Sequence, residues 1–313
     1  MRSTYITQDS HLTEIDTITP GCFVNLVNPT QAELRQVAEE LHLDIDDLSA
    51  PLDIEERSRA DVEDDYLVII VDVPIIETDF GKETYTTIPL GIIVTQDTVV
   101  TTCSQDVPIV SDFLRRPERG FSTVKRTRFV YQLLHKTATY YNRYLRLIDK
   151  RSDVIEHQLH LSMRNSELIE LMELSKSLVY FSTSLRTNSQ MQNKLKRLTF
   201  LPTFADDEEL QEDVGEETDQ AIEMTQIYSG ILSGMMDAFA SIVSNNQNTV
   251  MKFLAIVTII LAVPNIIFSA YGMNLSSTGM PFSSVWWGFA IVVGLAFMIA
   301  GLVAAGFRAK KWF

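Results

Sequence analysis

Small and polar residues recur along one helical face in the C-terminal third of the chain. Stepping alternately by four and three residues from Asp237 meets side chains that, apart from Met251, are all polar or small. A spacing that averages about 3.5 residues is typical of helices that supercoil left-handedly around a common axis. Hydroxyl, amide and carboxylate groups on such a face are suited to contact with water. The polar face consists of Asp237, Ser241, Ser244, Asn248, Met251, Ala255, Thr258, Ala262, Asn265 and Ser269.

This polar face enters a long stretch of sequence without charge. Residues 253–307 contain no Asp, Glu, Lys, Arg or His. Two spans, at about 251–271 and 285–307, each reach the roughly 20 residues that cross a hydrocarbon core about 30 Å thick. A short polar turn, 272–284, separates them. The sequence therefore predicts two transmembrane helices, and a buried helical hairpin in a soluble protein is the alternative.

The flanking charges predict how the two spans are oriented. Lys252 precedes the first span, and Arg308, Lys310 and Lys311 follow the second. Because cytoplasmic flanks carry an excess of basic residues, both chain ends are predicted in the cytoplasm and the turn outside. The N-terminal segment has no apolar core that would mark a signal peptide. We therefore expect a multi-pass protein of the cytoplasmic (inner) membrane.

The polar face has two interpretations. Asn265 and Thr258 would be costly against lipid, so they should face other protein or water. One chain supplies one such helix, so hiding the face requires several copies, for which closed symmetry is the usual arrangement. In one interpretation, small residues there allow close helix packing. In the other, a ring of these faces lines a water-filled pore, which the continuation through Asn248 and Ser244 favours.

Charge is divided unequally between the segments that precede the membrane. Residues 125–197 contain 14 Lys and Arg against 6 Asp and Glu, whereas residues 201–250 contain 11 acidic residues and no basic one. Basic helices beside an acidic helix would offset each other's charge. The polar face also extends backward to Glu223, Glu216 and Asp213. If these carboxylates approach those of other copies, their repulsion grows as bound cations leave, which predicts a cation sensor.

Other kinds of chemistry find little support in the sequence. There is no GxGxxG, Walker, GxSxG or HExxH motif, and the five histidines do not form a metal-ligating set. The two cysteines cannot form a disulfide framework. A formal net charge of −15 argues against binding to nucleic acid through phosphate contacts. We therefore expect neither an enzyme nor an organic cofactor.

An α/β domain is predicted at the N-terminus, over residues 1–122. Runs rich in β-branched residues indicate strands in this region. A helix is predicted to begin near Thr30, because Thr30 and Glu33 have the spacing of a capping box. The predicted strands are Cys22–Val27, Tyr66–Ile76, Ile88–Thr95 and Thr98–Thr102.

A helical stalk domain is predicted next, over residues 123–250. Apolar residues at three- and four-residue spacing without proline indicate helices at Arg126–Gln158 and Met163–Phe200. A third helix is predicted to begin near Ala205 and to continue into the transmembrane domain, 251–313. The fold class is therefore an α+β membrane protein with an N-terminal cytoplasmic α/β domain and long stalk helices that lead into the first of two C-terminal transmembrane helices.

At the outer end of the first span the sequence resembles a known family. Tyr271-Gly272-Met273-Asn274 is similar to the signature that follows the first span in the CorA family of divalent-cation channels, part of the two-transmembrane GxN superfamily. Other features match in order: VMKFL at Val250–Leu254, Pro264 within the span, and a basic-aromatic end at Lys310–Phe313. A further likeness is VEDDY at Val62–Tyr66, which leads into a strand. The resemblance implies a homopentameric funnel with Mg²⁺ as the usual ion.

The resemblance also implies roles along an ion path. Gly272, Met273 and Asn274 would form the selectivity entrance, where backbone carbonyls and side-chain amides contact the bound waters of a largely hydrated Mg²⁺. Met251 and Leu254 would form a hydrophobic constriction that closes by dewetting.

Regulation is implied by the same resemblance. In the family, a regulatory divalent site pairs an aspartate of the long helix with one of the α/β domain. Asp213 lies at the matching distance before the signature, and Asp79, in the loop Glu77–Gly81, is the candidate partner. Glu216 and Glu223 are further candidate ligands for the regulatory ion. Asp237 matches an acidic ring at the inner mouth of the pore.

The sequence thus predicts a Mg²⁺ uptake channel, with Co²⁺ and Ni²⁺ as other ions, driven by the membrane potential and closed by cytoplasmic divalent binding. Its expected partners are divalent cations, the lipid bilayer and further copies of the chain. Two alternatives stay open: a Zn²⁺ transporter of the same fold, and a membrane-anchored sensor without transport.

Overall fold

A computed structural model describes residues 1–8, 11–79, 81–117, 120–161, 165–202, 205–273, 280–282 and 285–310. The chain separates into two compact units, Met1–Met236 and Asp237–Phe313, which are described in turn. The finer division into three domains at residues 122 and 250 stays a prediction.

The first unit contains a mixed β-sheet. Its strands are β1 Arg2–Gln8, β2 His11–Ile15, β3 Cys22–Val27, β4 Arg59–Val62, β5 Leu67–Asp79, β6 Lys82–Val94 and β7 Val99–Cys103. Within the described part of the chain these seven strands pair in the order β2-β1-β3-β7-β6-β5-β4. The neighbours β3 and β7 run parallel, and the other neighbouring pairs are antiparallel.

The predicted strands are all present, but the sheet is larger than predicted. The bounds predicted for β3 agree with the structure, and β5, β6 and β7 lie where strands were expected. β1, β2 and β4 are additional, and their mostly polar residues lack the apolar runs that indicate buried strands. The β5–β6 hairpin also continues to the pair Asp79 and Lys82. The expectation of a loop over Glu77–Gly81 was therefore wrong, because most of it is strand.

Helices cover both faces of the sheet. The shorter ones are α1 Gln31–Leu41, α2 Ile45–Ser49, a 3₁₀ turn Ala50–Leu52, and α3 Pro108–Arg115. The long ones are α4 Arg126–Leu161, α5 Asn165–Leu195 and α6 Ala205–Tyr271. Val24 of β3 joins a buried cluster with Leu34 and Val37 of α1. The adjacent Phe23 meets Phe129 of α4 edge to face, with ring centroids 4.8 Å apart. Since successive strand residues point to opposite faces, α1 and α4 lie on opposite sides of the sheet.

The first helix begins as its sequence predicts. The Glu33 backbone N–H donates to Thr30 Oγ1 at 3.3 Å, and the Glu33 carboxylate accepts from the Thr30 backbone N–H at 2.8 Å. This reciprocal capping box satisfies two donors that a helix start otherwise leaves unpaired. The hydrogen bond from the Thr30 backbone lowers the pKa of the Glu33 carboxyl.

The predicted long helices are also present, with shifted ends. α4 continues to Leu161 rather than ending at Gln158. α5 ends at Leu195, five residues before the predicted Phe200. There the chain tightens into turns in which Arg197 N–H donates to Lys194 O and Leu198 N–H to Leu195 O. Bonds of this i to i−3 type end a helix early and leave the following residues to form a connection. α6 runs without a break to Tyr271.

A side chain of α5 takes the place of a missing strand beside β5. β4 ends its pairing at Arg59 with Ile70, so the backbone of Asp72 has no strand on that edge. The buried Asn188 amide donates to Asp72 O at 2.8 Å and accepts from Asp72 N–H at 3.0 Å. Tyr141 of α4 adds a hydrogen bond to Asp72 O at 3.0 Å. These contacts, here called the Asp72 lock, join the hairpin to both helices.

The Asp72 carboxyl lies in the same buried setting. Burial raises its pKa, and the hydroxyl groups of Ser184, Ser58 and Thr187 offset part of that rise by hydrogen bonding. Hydroxyl groups stabilise a carboxylate less than a cation does. The protonated form is therefore favoured more in the folded chain than in water.

The second unit contains the end of α6 and helix α7, Gly288–Ala309. Both helices are long and apolar enough to cross a membrane. Ile256 is 1% exposed, whereas Leu261 and Ile266 are each 67% exposed. Apolar helices with so much exposed surface suit lipid rather than the core of a soluble protein. The prediction of two candidate transmembrane helices is confirmed, although α7 begins at Gly288 rather than Val285.

We predict that Asn188→Ala destabilises the first unit by about 2 kcal/mol, because it removes three hydrogen bonds of a buried side chain, two with the Asp72 backbone and one with the Ser58 hydroxyl. Thermal unfolding of the purified full-length chain in detergent measures the change. Asn193→Ala is the matched control, because Asn193 lies on the same helix but is exposed. Equal losses of stability in the two variants would contradict a role for the Asp72 lock.

We also predict that Asp72→Asn stabilises the chain in a pH-dependent way. A carboxyl whose pKa is raised by folding contributes stability below its unfolded pKa, about 3.9, and that contribution is lost as pH rises through the folded pKa. The variant should therefore melt at a higher temperature than wild type near pH 8, with a smaller difference near pH 4. Asp16→Asn, at an exposed position, controls for the loss of one negative charge. A difference that does not widen with pH would contradict the buried carboxyl.

Candidate functional site

The polar face predicted from the sequence lies along α6 from Asp237 to Ser269, within the second unit. The residues of α6 that are buried or half-buried there include Ile256, Ile260 and Val263, which share a different face. Since a helix turns by about 100° per residue, the polar face lies on the opposite side of α6 from these residues. Nine of its ten members are exposed and Ala262 is half-buried.

Oxygen atoms on the polar face are available as hydrogen-bond acceptors. The Thr258 hydroxyl donates to the Leu254 carbonyl at 2.8 Å, so its lone pairs remain directed away from that bond. The amides of Asn248 and Asn265 are exposed, and each carries a carbonyl oxygen. Acceptor oxygens of this kind bind water molecules, including those that surround a cation.

Two apolar side chains interrupt the polar groups. Met251 is 57% exposed and Leu254 is 56% exposed, and both lie between Asn248 and Thr258 along the helix. The described part of the chain leaves more than half of the surface of each uncovered. A ring of such side chains from several copies would form a narrow segment without hydrogen-bonding groups.

The outer end of α6 is closed by hydrogen bonds to its last turn. Gly272 N–H donates to Phe268 O at 2.9 Å and to Ser269 O at 3.2 Å. The Tyr271 hydroxyl donates to Pro281 O at 3.0 Å, which ties the connection between the helices to α6. This contact was not predicted from the sequence, although the tyrosine of the signature was a signal for it. Met273 is 56% exposed.

Asn274, the last residue of the predicted selectivity entrance, lies outside the described residues. The role predicted for Asn274 therefore rests on the sequence signature alone. The adjoining Gly272 and Met273 are exposed at the end of the helix, where their backbone carbonyls could face an ion.

The candidate regulatory carboxylates lie on α6 within the first unit. Asp213, Glu216 and Glu223 are exposed on the side opposite to the buried Val214 and Thr218. The backbone of Asp79 ends β5, and its side chain lies outside the described residues. Among the side chains that the structure describes, no group of three His, Cys, Asp or Glu could hold a metal ion. One chain therefore does not assemble the predicted regulatory site from its described residues.

Comparison with known proteins identifies the family. The sequence model of a family described as "CorA-like Mg2+ transporter protein" matches residues 21–310. The chain belongs to the CorA-like family. The cobalt/magnesium transport protein CorA of Methanocaldococcus jannaschii is 29% identical over 251 residues, which are 77% of this chain and 76% of that protein. The protein of the same name from Thermotoga maritima is 25% identical over 201 residues, which are 63% of this chain and 56% of that protein.

The CorA-like fold extends over the entire chain. The complete structure of the CorA magnesium transporter from Methanocaldococcus jannaschii superposes with a TM-score of 0.84 at 26% identity, and covers 100% of this chain and 99% of that chain. The resemblance noted at Tyr271–Asn274 is therefore confirmed, as is the fold class of a soluble α/β domain, a long helix and two candidate transmembrane helices. The structure describes one chain, so the homopentamer stays a prediction.

Proposed function

We propose that this CorA-like chain is one subunit of a homopentameric channel that admits Mg²⁺, with Co²⁺ and Ni²⁺ as further ions, through the cytoplasmic membrane. The family description and the names of both relatives support the ions. The observation that carries the proposal is the exposed polar face of α6, which lies opposite the face that is buried in the chain. Both termini are cytoplasmic in this arrangement.

The polar face supports assembly because the described residues of one chain leave nine of its ten members exposed. An amide in hydrocarbon without a hydrogen-bonding partner costs several kcal/mol, and Asn265 is exposed in the described chain. Copies arranged around an axis remove that cost when they turn the face inward onto water. A closed ring gives every copy the same contacts, and the number five comes from the resemblance to the CorA family.

The polar groups suit a cation that keeps its bound water. Mg²⁺ is small, prefers octahedral oxygen coordination and dehydrates reluctantly. The waters on such an ion donate hydrogen bonds, so the path needs acceptors, which Thr258 and Asn265 supply. Gly272 carbonyls and Asn274 amides would offer the same contacts at the selectivity entrance. No step in this account requires nucleotide hydrolysis.

The membrane potential supplies the driving force in this proposal. A potential that is negative inside contributes about 2.3 kcal/mol per elementary charge per 100 mV, hence about 4.6 kcal/mol for a divalent ion. The Asp237 carboxylates would form an acidic ring at the inner mouth, where they attract the ion as it leaves the polar path.

Met251 and Leu254 would form the closed gate. A constriction lined with apolar side chains excludes water when it narrows, and a hydrated ion cannot pass a dry segment. Cytoplasmic divalent ions would favour this closed state by bridging Asp213 to Asp79 of a neighbouring copy, with Glu216 and Glu223 nearby. Loss of these ions then leaves carboxylates in mutual repulsion and shifts the population toward the open state.

We predict that Asn265→Leu and Thr258→Leu each reduce Mg²⁺ influx to about one tenth of wild type or less. Leucine replaces a hydrogen-bond acceptor with an apolar side chain that does not bind the waters of the ion. Full-length protein in liposomes loaded with a Mg²⁺-sensitive dye, under an inside-negative potential, measures the influx. Phe253→Leu is the control, since Phe253 is exposed on another face of α6.

Unchanged influx in both polar-face variants would refute the pore and leave the chain as a membrane tether for a sensor. The same liposomes with a Zn²⁺-sensitive dye test the other alternative, a Zn²⁺ transporter of the same fold. Faster Zn²⁺ than Mg²⁺ influx would overturn the proposed ion.

We predict that Asp213→Lys abolishes the protection from proteolysis that Mg²⁺ gives to the stalk helices. The positively charged lysine replaces a carboxylate that is proposed to bind the regulatory ion. Limited digestion of full-length protein over a Mg²⁺ titration measures the protection. Glu208→Lys makes the same charge change at another exposed position of α6 and should keep the wild-type response. Protection that survives Asp213→Lys would reject Asp213 as a ligand.

A further inference from the structure

A cavity of about 490 Å³ lies in the first unit where α4 and α6 begin. Its lining combines basic, apolar and acidic residues, among them Val124, Lys125, Arg126, Arg128, Pro202 and Asp207. The Thr127 hydroxyl donates to Pro202 O at 2.8 Å and holds the start of α4 against the segment that precedes α6. The volume is within the range of about 300–1,000 Å³ that small-molecule sites occupy.

The charged side chains that line this cavity are mostly basic, unlike those of the chain as a whole. Three basic side chains line it against one carboxylate, whereas the chain carries a formal net charge of −15. Arg126 donates to the Thr95 backbone carbonyl. Lys125 is exposed and forms no ion pair with any residue that the structure describes. The described residues that line the cavity therefore carry more positive than negative charge.

Arg128 gives a second and independent indication of an anion site. Its guanidinium Nη1 lies 3.6 Å from Asp207 Oδ1, which is an ion pair but longer than a hydrogen bond. Its Nε–H is buried and has no acceptor among the described residues. A buried donor without an acceptor is costly, and more so on a charged group. Arg128 also lines the cavity, so an anion bound there would contact this side chain.

We propose that this cavity binds a phosphate monoester, whose phosphate lies between Lys125 and Arg128 and whose organic part rests on Val124 and Pro202. A guanidinium suits phosphate because its planar donors match two oxygens at once. The apolar residues of the lining give an organic group a surface that inorganic phosphate does not use. This site is separate from the proposed ion path, and the inference does not depend on transport.

Isothermal titration of full-length protein in detergent, without divalent ions, tests the proposal with AMP, inorganic phosphate and adenosine as probes. AMP should bind, phosphate should bind more weakly, and adenosine should give no heat. Lys125→Gln and Arg128→Lys should each weaken AMP binding about tenfold. Lys125 is exposed, so its variant tests the site without risk to folding. Lys150→Gln is the control, because Lys150 is an exposed base elsewhere on α4.

Two results would overturn the proposal. If AMP and phosphate give no heat at millimolar concentration, a water molecule rather than an anion pairs with Arg128 Nε–H. If AMP binds but neither Lys125→Gln nor Arg128→Lys weakens it relative to Lys150→Gln, the phosphate lies elsewhere. Equal affinity for AMP and phosphate would remove the role assigned to Val124 and Pro202.

Discussion

An amide group on an otherwise apolar helix needs a hydrogen-bonding partner. The Asn265 amide of the second unit is such a group. α6 buries one side of its membrane segment within the chain and leaves the polar face exposed on the other. Lipid cannot satisfy that face. Water can, provided that other copies exclude the lipid, so the burial pattern of one helix links oligomerisation and a hydrated path in a single physical argument.

The sequence predicted this helix well because both of its patterns are local. The absence of charged residues over 253–307 indicates a hydrocarbon environment. A 3.5-residue period indicates which side chains share a face of the helix. Both can be read without knowing any distant contact. β3 was predicted for the same reason, since its six residues form an uninterrupted run that is almost entirely buried.

Other features depend on residues that are distant in sequence, and these were missed. The polar tip of the β5–β6 hairpin extends beyond the predicted strand end at Ile76. Asn188 and Tyr141 bind the Asp72 backbone of this hairpin from two helices. No local pattern near Asp72 indicates those partners. The predicted regulatory site is harder still, because its described carboxylates form no metal-holding group within one chain. Spacing along one sequence does not indicate which residues of different copies would come together.

The ion pairs of the long helices distinguish two explanations for the acidic residues of α6: neutralisation by basic α4 and α5, or contact with cations or other copies. If basic α4 and α5 simply offset acidic α6, ion pairs should join them along their length. Among the described residues, Arg128 with Asp207 is the ion pair that connects α6 to either helix. Asp213, Glu216 and Glu223 remain exposed on the side of α6 away from the packing face. Neutralisation within the chain therefore does not account for the acidic face, and mobile cations or other copies are the partners that its exposure allows.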